Sequence, residues 1–504
     1  MKKTIRIFSI WSIVIGVIIL LIAAVPRSVE FFSHNFVFGF DQGKHWLAAK
    51  AIIVDHKFPL IGDEVGGARG FFQGPGWFYL LAVPFFLFNG NPYGAVVLTF
   101  LLGMSAVFLS YILFTPLLGF AASGLIGFFL AISPTLISSS RFAWPPYAIP
   151  PLMVIYLYFI YRVLEKKRQY IPWIFLTIGI MAHFEIATAG TVLLTTLFLA
   201  MVYAISNRIS FKNIIFSCIA FIIPLFPLIV FDLRHDFLNT KGIFETFFAS
   251  SRTPSFVPTI QQLFSNHKMI FEAEFFGSFQ LGYMNKLSIL FVLSLGILMF
   301  FDKSVPKHRK LFLSFLYLFP LVLFAICMGY RNDLWGWWLL ELQVIGCFLF
   351  GSIMTHMVTK KHVIWKIFAI VVIGFMFINY LQSSVRFWKN DYPDYGGTAK
   401  IRGKIDALDF IFQDAQTKDF GLFFFTPPVY TYAYDFVNWW HGTRAYDYVP
   451  PQEKKKIFYL LAEPDSEKPW TYKGWMETAI IGGEIVNTWT LPSGFIVQKR
   501  MMTE

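Results

Sequence analysis

Asp41 is the residue of this sequence with the clearest potential for chemistry. It lies in the segment Phe38–Lys44, shortly after an apolar run at residues 7–25, in a chain that carries few charges. A carboxylate just outside a membrane span could act as a general base on a substrate carried by a lipid. The alternative is an ordinary polar residue of an exposed loop.

Two arginines lie where they could meet a charged substrate. Arg141 stands at the end of one apolar segment and Arg234 follows another, beside Asp232, His235 and Asp236. A guanidinium can bind a phosphate through two parallel hydrogen bonds. Arg141 could instead extend to lipid headgroups, and Arg234 could form ion pairs within its loop. Both alternatives stay open at this point.

Lys44, His183 and Tyr330 are candidates for substrate binding. His183 falls inside a predicted span at 171–188, and ionisable residues at that depth usually face the bundle interior or a cavity. A structural hydrogen bond between helices is an equally good interpretation. Tyr330 begins a tryptophan-rich segment whose rings could stack on a sugar, although aromatic residues there commonly anchor a protein at the membrane surface.

Several kinds of site are missing from the sequence. It has no nucleotide-binding glycine loop, no Ser-His-Asp arrangement and no His/Cys spacing for a metal. The three cysteines fall inside predicted spans. We therefore expect no cofactor and no metal. The net charge of +12 does not indicate nucleic-acid binding, because the basic residues cluster at short loops between apolar runs, beside membrane lipids.

The composition predicts an α-helical polytopic membrane protein. The 504 residues are 56% hydrophobic and 14% charged, whereas soluble domains carry about 25% charged residues. A span needs about 20 apolar residues. The predicted spans are 7–25, 94–113, 117–134, 148–164, 171–188, 190–206, 213–231, 286–302, 311–329, 336–357 and 363–382. Placing the basic loops inside gives about 11 full crossings and an N-terminus inside.

Trp77–Phe88 is apolar but short and contains Pro84. A full crossing there would break the alternation of the basic loops. We interpret it as a re-entrant or short helix.

Two domains follow from this topology. Residues 1–382 form a transmembrane catalytic domain with a first outer loop at 26–76 and a middle outer loop at 232–285. Residues 383–504 form a small extracytoplasmic α/β domain. Its predicted elements are helices at Ala399–Gln416 and Val429–Trp440, strands at Gly421–Thr426 and Lys456–Ala462, and a hairpin of Glu484–Thr490 with Phe495–Arg500.

The order of these features resembles the GT-C superfamily of integral membrane glycosyltransferases, in particular the branch with protein O-mannosyltransferases and aminoarabinose transferase. After the first span come an aspartate, an interfacial helix, a Gly/Pro turn, a Ser-Pro-x5-Arg stretch and a Gly-x3-His stretch. In this sequence they are Asp41, Gly43–Asp55, Gln73–Trp77, Ser133–Arg141 and Gly179–His183.

This resemblance implies a polyprenyl-phosphate-linked sugar donor and inverting transfer of a hexose or pentose at the outer face. The short basic N-terminus and the compact loops indicate the plasma (inner) membrane. Asp41 would be the catalytic base and Arg234 a phosphate-binding residue. The sequence has Gln73 and Gly74 where relatives often have a basic residue, so Arg69 and Arg141 would share the donor phosphate.

Two further departures matter. Gln42 replaces a second acid found in many relatives, and no Asp-x-Asp/Glu pair lies near Arg141, which again predicts no metal. The acceptor hydroxyl could belong to a protein, a lipid or a glycan. A multispan transporter or flippase is the alternative function, favoured only by His183, Glu185 and Glu341. Another cell-envelope polymerase or ligase would share the arginines.

Overall fold

The computed structural model describes residues 9–66, 70–204, 209–248, 259–282, 285–330, 333–427, 430–465 and 467–502. About 70% of the chain is helical. Seven described helices are long and apolar enough to cross a membrane, and four shorter apolar helices accompany them. The helical multi-pass architecture is confirmed, and the count of eleven full crossings stays a prediction.

Ten α-helices lie among the described residues up to 204. They are α1 Ile10–Arg27, α2 Val29–Ser33, α3 Phe40–Ile53, α4 Gly76–Leu87, α5 Tyr93–Leu118, α6 Phe120–Ile132, α7 Pro134–Ser139, α8 Ile149–Leu164, α9 Ile171–Met181 and α10 Ile186–Ala204. The short helix predicted around Pro84 is confirmed as α4, which has 12 residues. At 1.5 Å per residue it spans about 18 Å, less than the ~30 Å hydrocarbon core.

Eight more α-helices lie among the described residues between 211 and 386. They are α11 Phe211–Arg234, α12 Leu238–Phe248, α13 Ile260–Gly277, α14 Lys286–Gly296, α15 Leu298–Phe301, α16 Lys307–Cys327, α17 Glu341–Thr359 and α18 Val363–Arg386. Several begin where a polar side chain accepts a backbone N–H, as Asn285 does from Ser288 at 2.9 Å. Such caps satisfy the free donors of a helix start.

The C-terminal residues form the predicted α/β arrangement. Its elements are α19 Ile401–Ala415, β1 Phe420–Phe425, α20 Tyr432–His441, β2 Ile457–Ala462, α21 Trp470–Gly474, β3 Glu484–Thr490 and β4 Ile496–Met501. The sheet order is β1-β2-β4-β3. Strand β1 pairs parallel with β2, and the predicted hairpin of β3 and β4 is antiparallel.

The chain divides into two compact units. Unit 1 comprises residues 1–28, 59–77 and 99–387, and unit 2 comprises residues 29–58, 78–98 and 388–504. In unit 1, α17 contacts α6, α8, α13, α14, α16 and α18 and is the most buried of the long apolar helices. Unit 2 joins part of the predicted first outer loop, including α3, to the C-terminal sheet.

Candidate active site

Asp41 lies in the first turn of α3, in unit 2. The helix predicted at Gly43–Asp55 begins three residues earlier, because Gln42 Oε1 accepts the Gly39 backbone N–H at 3.1 Å and so stabilises an earlier start. The Asp41 side chain is half-buried. A carboxylate in a first turn also interacts favourably with the helix dipole. Lys44 is three residues further on and therefore lies on the same side of the helix.

The apolar face of α3 packs inside the protein. Trp46 and Ile52 are 1% and 5% exposed, and Trp46 Nε1 donates to the Gly90 carbonyl at 2.9 Å. The helix that the resemblance implies to be interfacial therefore buries these two apolar side chains inside the protein. A Cβ on Gly43 would stand 2.3 Å from the Ala433 nitrogen. The missing side chain lets α20 approach α3 at its backbone, and this contact covers the apolar face.

The segment before Asp41 is also paired with the C-terminal residues. Phe38 N donates to Ala399 O at 3.1 Å and Ile401 N donates to Phe36 O at 2.9 Å. Val37 and Lys400 form an isolated antiparallel bridge between these hydrogen bonds. Backbone pairing on one side and helix packing on the other thus determine where α3 begins and how it is oriented within unit 2.

Arg141 follows α7 in unit 1 and is half-buried. Its guanidinium carbon lies 4.4 Å from the centre of the Phe387 ring. Its neighbour Ser140 is held by Arg27, whose Nε donates to Ser140 Oγ at 3.1 Å. A cation over an aromatic face is stabilised by the ring quadrupole, so the Arg141 side chain has a defined direction.

Arg27 is a residue that the sequence analysis missed. It is 1% exposed, and its guanidinium donates to the carbonyls of Leu130 at 3.0 Å and Ala131 at 2.7 Å at the end of α6. Pro134 has no N–H to offer Leu130 four residues before it. Arg27 therefore satisfies a carbonyl that the Ser-Pro sequence leaves without a helical partner. The only sequence signal was a charge beside Pro26 at the end of an apolar run.

Arg234 occupies the last turn of α11 and is exposed. Asp232 does not pair with it. The Asp232 carboxylate accepts the backbone N–H of Asn239 at 2.7 Å and the hydroxyl of Thr240 at 2.6 Å, which caps α12. Within the described parts of the chain, the Arg234 guanidinium makes no hydrogen bond or ion pair. It is therefore available to an anionic ligand.

His183 lies in a turn between α9 and α10, although the sequence predicted it inside one span at 171–188. The turn replaces helix because its residues bind another segment: Ala182 O accepts Gly74 N at 3.0 Å, and His183 Nδ1 accepts Gly76 N at 3.1 Å. The other ring nitrogen, Nε2, donates to Pro224 O at 2.7 Å. Both nitrogens are occupied, which matches the structural alternative named above.

Gly74 and Gly76 of the Gly/Pro turn are required by close packing against His183. A Cβ on Gly74 or Gly76 would stand 2.3 Å or 2.6 Å from His183 side-chain atoms. Two motifs that are far apart in sequence thus meet in unit 1, and the small residues are what permits the contact.

Arg69 and Tyr330 are two further candidates from the sequence. Arg69 lies outside the described residues. Tyr330 is half-buried in unit 1, and its ring lies edge-on to Trp338 with centres 5.5 Å apart. Residues 331 and 332, which follow Tyr330, also lie outside the described residues.

Unit 1 contains buried acidic and amide side chains near the start of α17. Glu341 is fully buried, and neither of its carboxylate oxygens has a hydrogen-bond partner among the described residues. Gln343 Nε2 donates to Glu274 Oε2 at 3.0 Å. Glu274 was not singled out from sequence, because it lies near the end of α13 without a recognisable spacing to the other acids.

The structure is similar to solved membrane proteins. ArnT from Cupriavidus metallidurans bound to undecaprenyl phosphate aligns with a TM-score of 0.59 and 11% identity, covering 97% of this chain and 98% of ArnT. The apo state of the same protein gives 0.59 and 12% identity, covering 97% of each chain.

The apo oligosaccharyltransferase of Archaeoglobus fulgidus aligns with a TM-score of 0.53 and 12% identity, covering 85% of this chain and 64% of that one. No protein-family model and no curated protein sequence matches this chain. At such identities the likeness concerns the fold. The chain has the GT-C fold that the order of its motifs predicted.

Proposed function

We propose that this protein is a membrane glycosyltransferase that moves a sugar from a polyprenyl-phosphate donor to an acceptor hydroxyl. The observation that carries the proposal is the full-length similarity to ArnT, which was crystallised with undecaprenyl phosphate. The fold alone is compatible with other chemistry. Each unit adds its own support: unit 2 has a half-buried acid at the start of α3, and unit 1 has an available arginine at the end of α11 that suits an anionic lipid.

In this proposal Asp41 is the general base. It removes the proton from the acceptor hydroxyl as the oxygen attacks the anomeric carbon from the side opposite the phosphate, so the configuration inverts. The carbon–oxygen bond to the lipid phosphate breaks, and that phosphate leaves with the electron pair. Lys44 lies three residues after Asp41 on the same side of α3. We propose that it contacts the substrate.

Arg234, Arg141 and Arg69 are proposed to bind the donor phosphate. Positive groups aimed at the departing phosphate lower the barrier because the negative charge grows there in the transition state. Arg234 is the strongest of the three, since it is exposed and makes no competing ion pair within the described residues. His183 supports the site indirectly by joining the first-loop turn to α11, and Tyr330 is proposed to contact substrate.

The proposed topology has about eleven crossings of the plasma (inner) membrane, with the site and residues 383–504 outside the cytoplasm. An apolar groove of about 610 Å³ between α14 and α18 is lined by Phe291, Phe368 and Phe375 among others. Such a groove suits a hydrocarbon chain. Residues 1–382 are proposed to bind the donor, and residues 383–504 to select the acceptor.

Deletion of the gene tests the proposal. We expect the deletion strain to accumulate a polyprenyl-phosphate sugar, measured by mass spectrometry of its envelope lipids, and to lack the matching sugar on an envelope product. Wild-type protein should reverse both changes. Asp41→Asn, expressed and folded to the same level, should not, because loss of a general base lowers a rate by about 10²–10⁴-fold.

Two results would contradict the proposal. Full complementation by Asp41→Asn would remove Asp41 as the base. Movement of a labelled lipid across proteoliposomes without use of any acceptor would instead support the transporter alternative, in which the buried Glu341 would have a role.

A further inference from the structure

The chain turns sharply between α11 and α12, directly after Arg234. Asp236 and Phe237 both have a left-handed backbone, with φ of +52° and +58°. An aspartate tolerates this conformation, but a bulky residue such as phenylalanine rarely adopts it. Phe237 is also 52% exposed, so burial of its ring does not explain the strain. Other contacts must hold this turn, which we call the corner and define as residues 232–240.

Asp232 closes the corner through its backbone and its side chain. Its carbonyl accepts His235 N at 3.2 Å and Phe237 N at 2.8 Å. Its carboxylate accepts Asn239 N at 2.7 Å, and Oδ2 accepts the Thr240 hydroxyl at 2.6 Å. Backbone strain persists only where surrounding contacts hold it. The Asp232 carboxylate supplies such contacts, because it bonds the last turn of α11 to the first turn of α12 across the strained residues.

The corner is also anchored to the first loop, within unit 1. Asn239 is 3% exposed, and its Oδ1 accepts Phe72 N at 2.6 Å. A Cβ on Gly242, in α12, would stand 2.5 Å from Gly70 O. The first loop therefore packs on α12 at backbone distance, and this contact leaves the corner little freedom to move.

Arg234 lies within the corner, between Asp232 and Asn239 in the chain. Its guanidinium makes no hydrogen bond or ion pair with the described residues, so its own side chain does not anchor it. The position from which that side chain extends is therefore set by the backbone of the corner. Asp232 does not compete for the guanidinium, since its oxygens already accept from α12.

We propose that Asp232 is a positioning residue for Arg234 in the binding of the donor phosphate. This role rests on the proposed function, in which Arg234 binds that phosphate. Asp232 does not contact the substrate and acts through the arginine whose backbone it holds. The alternative is an acid that only lies near the site, and the two roles predict opposite changes in affinity. Removing a nearby negative charge strengthens the binding of an anion, whereas releasing the corner weakens it.

Isothermal titration of undecaprenyl phosphate into the full-length protein in detergent tests this role. Asp232→Ala removes the carboxylate, and Asp232→Asn keeps one side-chain oxygen that can accept a hydrogen bond. Asp236→Asn is the matched control, because Asp236 is an exposed acid of the same corner and asparagine tolerates its left-handed backbone. Arg234→Gln and the double variant Asp232→Ala/Arg234→Gln complete a double-mutant cycle.

Asp232→Ala should bind the lipid about tenfold or more weakly, which corresponds to ~1.4 kcal/mol. Asp232→Asn should retain most of the affinity, and Asp236→Asn should bind as tightly as the wild type or slightly more tightly. In the Arg234→Gln background, Asp232→Ala should cause no further loss, because no guanidinium is left to position. A purely structural role would lower the affinity by the same factor in both backgrounds.

Thr240→Val gives a milder test if Asp232→Ala does not fold, because it removes only the hydroxyl that binds Asp232 Oδ2. Weaker lipid binding by Thr240→Val that disappears in the Arg234→Gln background supports the role of Asp232. Unchanged binding by Thr240→Val in that case contradicts it.

The role of Asp232 is overturned if folded Asp232→Ala binds the lipid as tightly as the wild type or more tightly, while Arg234→Gln binds it weakly. Additive losses in the double variant, or an equal loss in Asp236→Asn, would also overturn it. Unchanged binding by Arg234→Gln, or no binding by the wild type, would remove Arg234 from the phosphate site and the role of Asp232 with it.

Discussion

The two units hold their polar groups in different ways. In unit 1, single side chains reach across helices to backbone carbonyls, as Arg27 does at the end of α6 and His183 does at Pro224. In unit 2, the helix with Asp41 is positioned by backbone pairing and by the close approach at Gly43. Helix ends in apolar surroundings have no water to satisfy them, so unit 1 uses long polar side chains there.

Two arginines of unit 1 also differ from each other in how their guanidinium groups are used. Arg27 is buried and its guanidinium is shared among a serine hydroxyl and backbone carbonyls. Arg234 is exposed and makes no hydrogen bond or ion pair with described residues. The same residue type thus serves structure at one helix end and is free for a ligand at another. Burial and partners distinguish the two roles, and the sequence alone does not.

The largest effect on folding is expected for Arg27→Met. The change leaves buried carbonyls without donors, at about 1–3 kcal/mol for each unsatisfied group. We expect the variant to lose its monodisperse peak in detergent size-exclusion chromatography, or to unfold at a much lower temperature. The matched control Arg234→Met should keep the wild-type profile. If the two variants behaved alike, the proposed difference between a structural Arg27 and an available Arg234 would be contradicted.

Gly43→Ala tests the close approach in unit 2. Alanine is favoured in a helix by about 1 kcal/mol over glycine, but here its Cβ would overlap Ala433, and overpacking costs about 1–3 kcal/mol. We expect lower thermal stability and lower transfer activity, because α3 must move. Gly374→Ala is the control: Gly374 lies in α18 with nothing within 4 Å of the added atom, so it should not destabilise. A stabilised Gly43→Ala protein would contradict the packing argument.

Arg234→Gln should weaken binding of the donor phosphate without unfolding the protein. Loss of one hydrogen bond to a charged group is worth ~1.5–3 kcal/mol, which predicts about a tenfold to hundredfold weaker binding of undecaprenyl phosphate. Isothermal titration in detergent measures this. Arg444→Gln, at an exposed arginine of unit 2, serves as the control. Unchanged affinity would remove Arg234 from the phosphate site.

The last effect concerns the pH dependence of stability at a buried lysine of unit 2. Lys404 is 2% exposed and its ammonium lies 5.2 Å from the Tyr434 ring. Burial lowers the pKa of Lys404 to about 8, below its usual 10.5. The unfolded chain therefore binds more protons between about pH 8 and pH 10.5, so the contribution of Lys404 to stability increases with pH across that window.

Unfolding temperatures of the wild type and of Lys404→Met, measured at pH 7 and pH 10, isolate this contribution. We expect Lys404→Met to unfold at a higher temperature than the wild type at pH 7. This difference should shrink as pH rises, because the wild-type lysine has then lost its charge. An advantage that is independent of pH would show that Lys404 titrates normally.

Much of the fold was predictable because it depends on local patterns. The apolar runs determined the helical membrane architecture, and short apolar runs with turn signals located the four described strands of the C-terminal sheet. Pro84 and the shortness of its apolar run predicted α4. The boundary between α9 and α10 was misplaced, because the break at His183 is imposed by the distant turn at Gly74 and Gly76.

The candidate site was predictable only in part. Asp41 stood out because a lone acid in an aromatic segment is conspicuous, and the order of the motifs predicted the GT-C fold. Arg27 was missed, since its partners Leu130 and Ala131 lie more than 100 residues further along the chain.

The sequence by itself determined the helices and strands, because hydrophobic period and turn residues act over a few neighbours. It also singled out Asp41, the acid in the first turn of α3. The tertiary structure decided which polar side chains form hydrogen bonds within the protein and which stay available to a ligand. That distinction depends on partners more than 100 residues away, as Arg27 at Leu130 and Phe38 at Ala399 illustrate, and no local pattern encodes them.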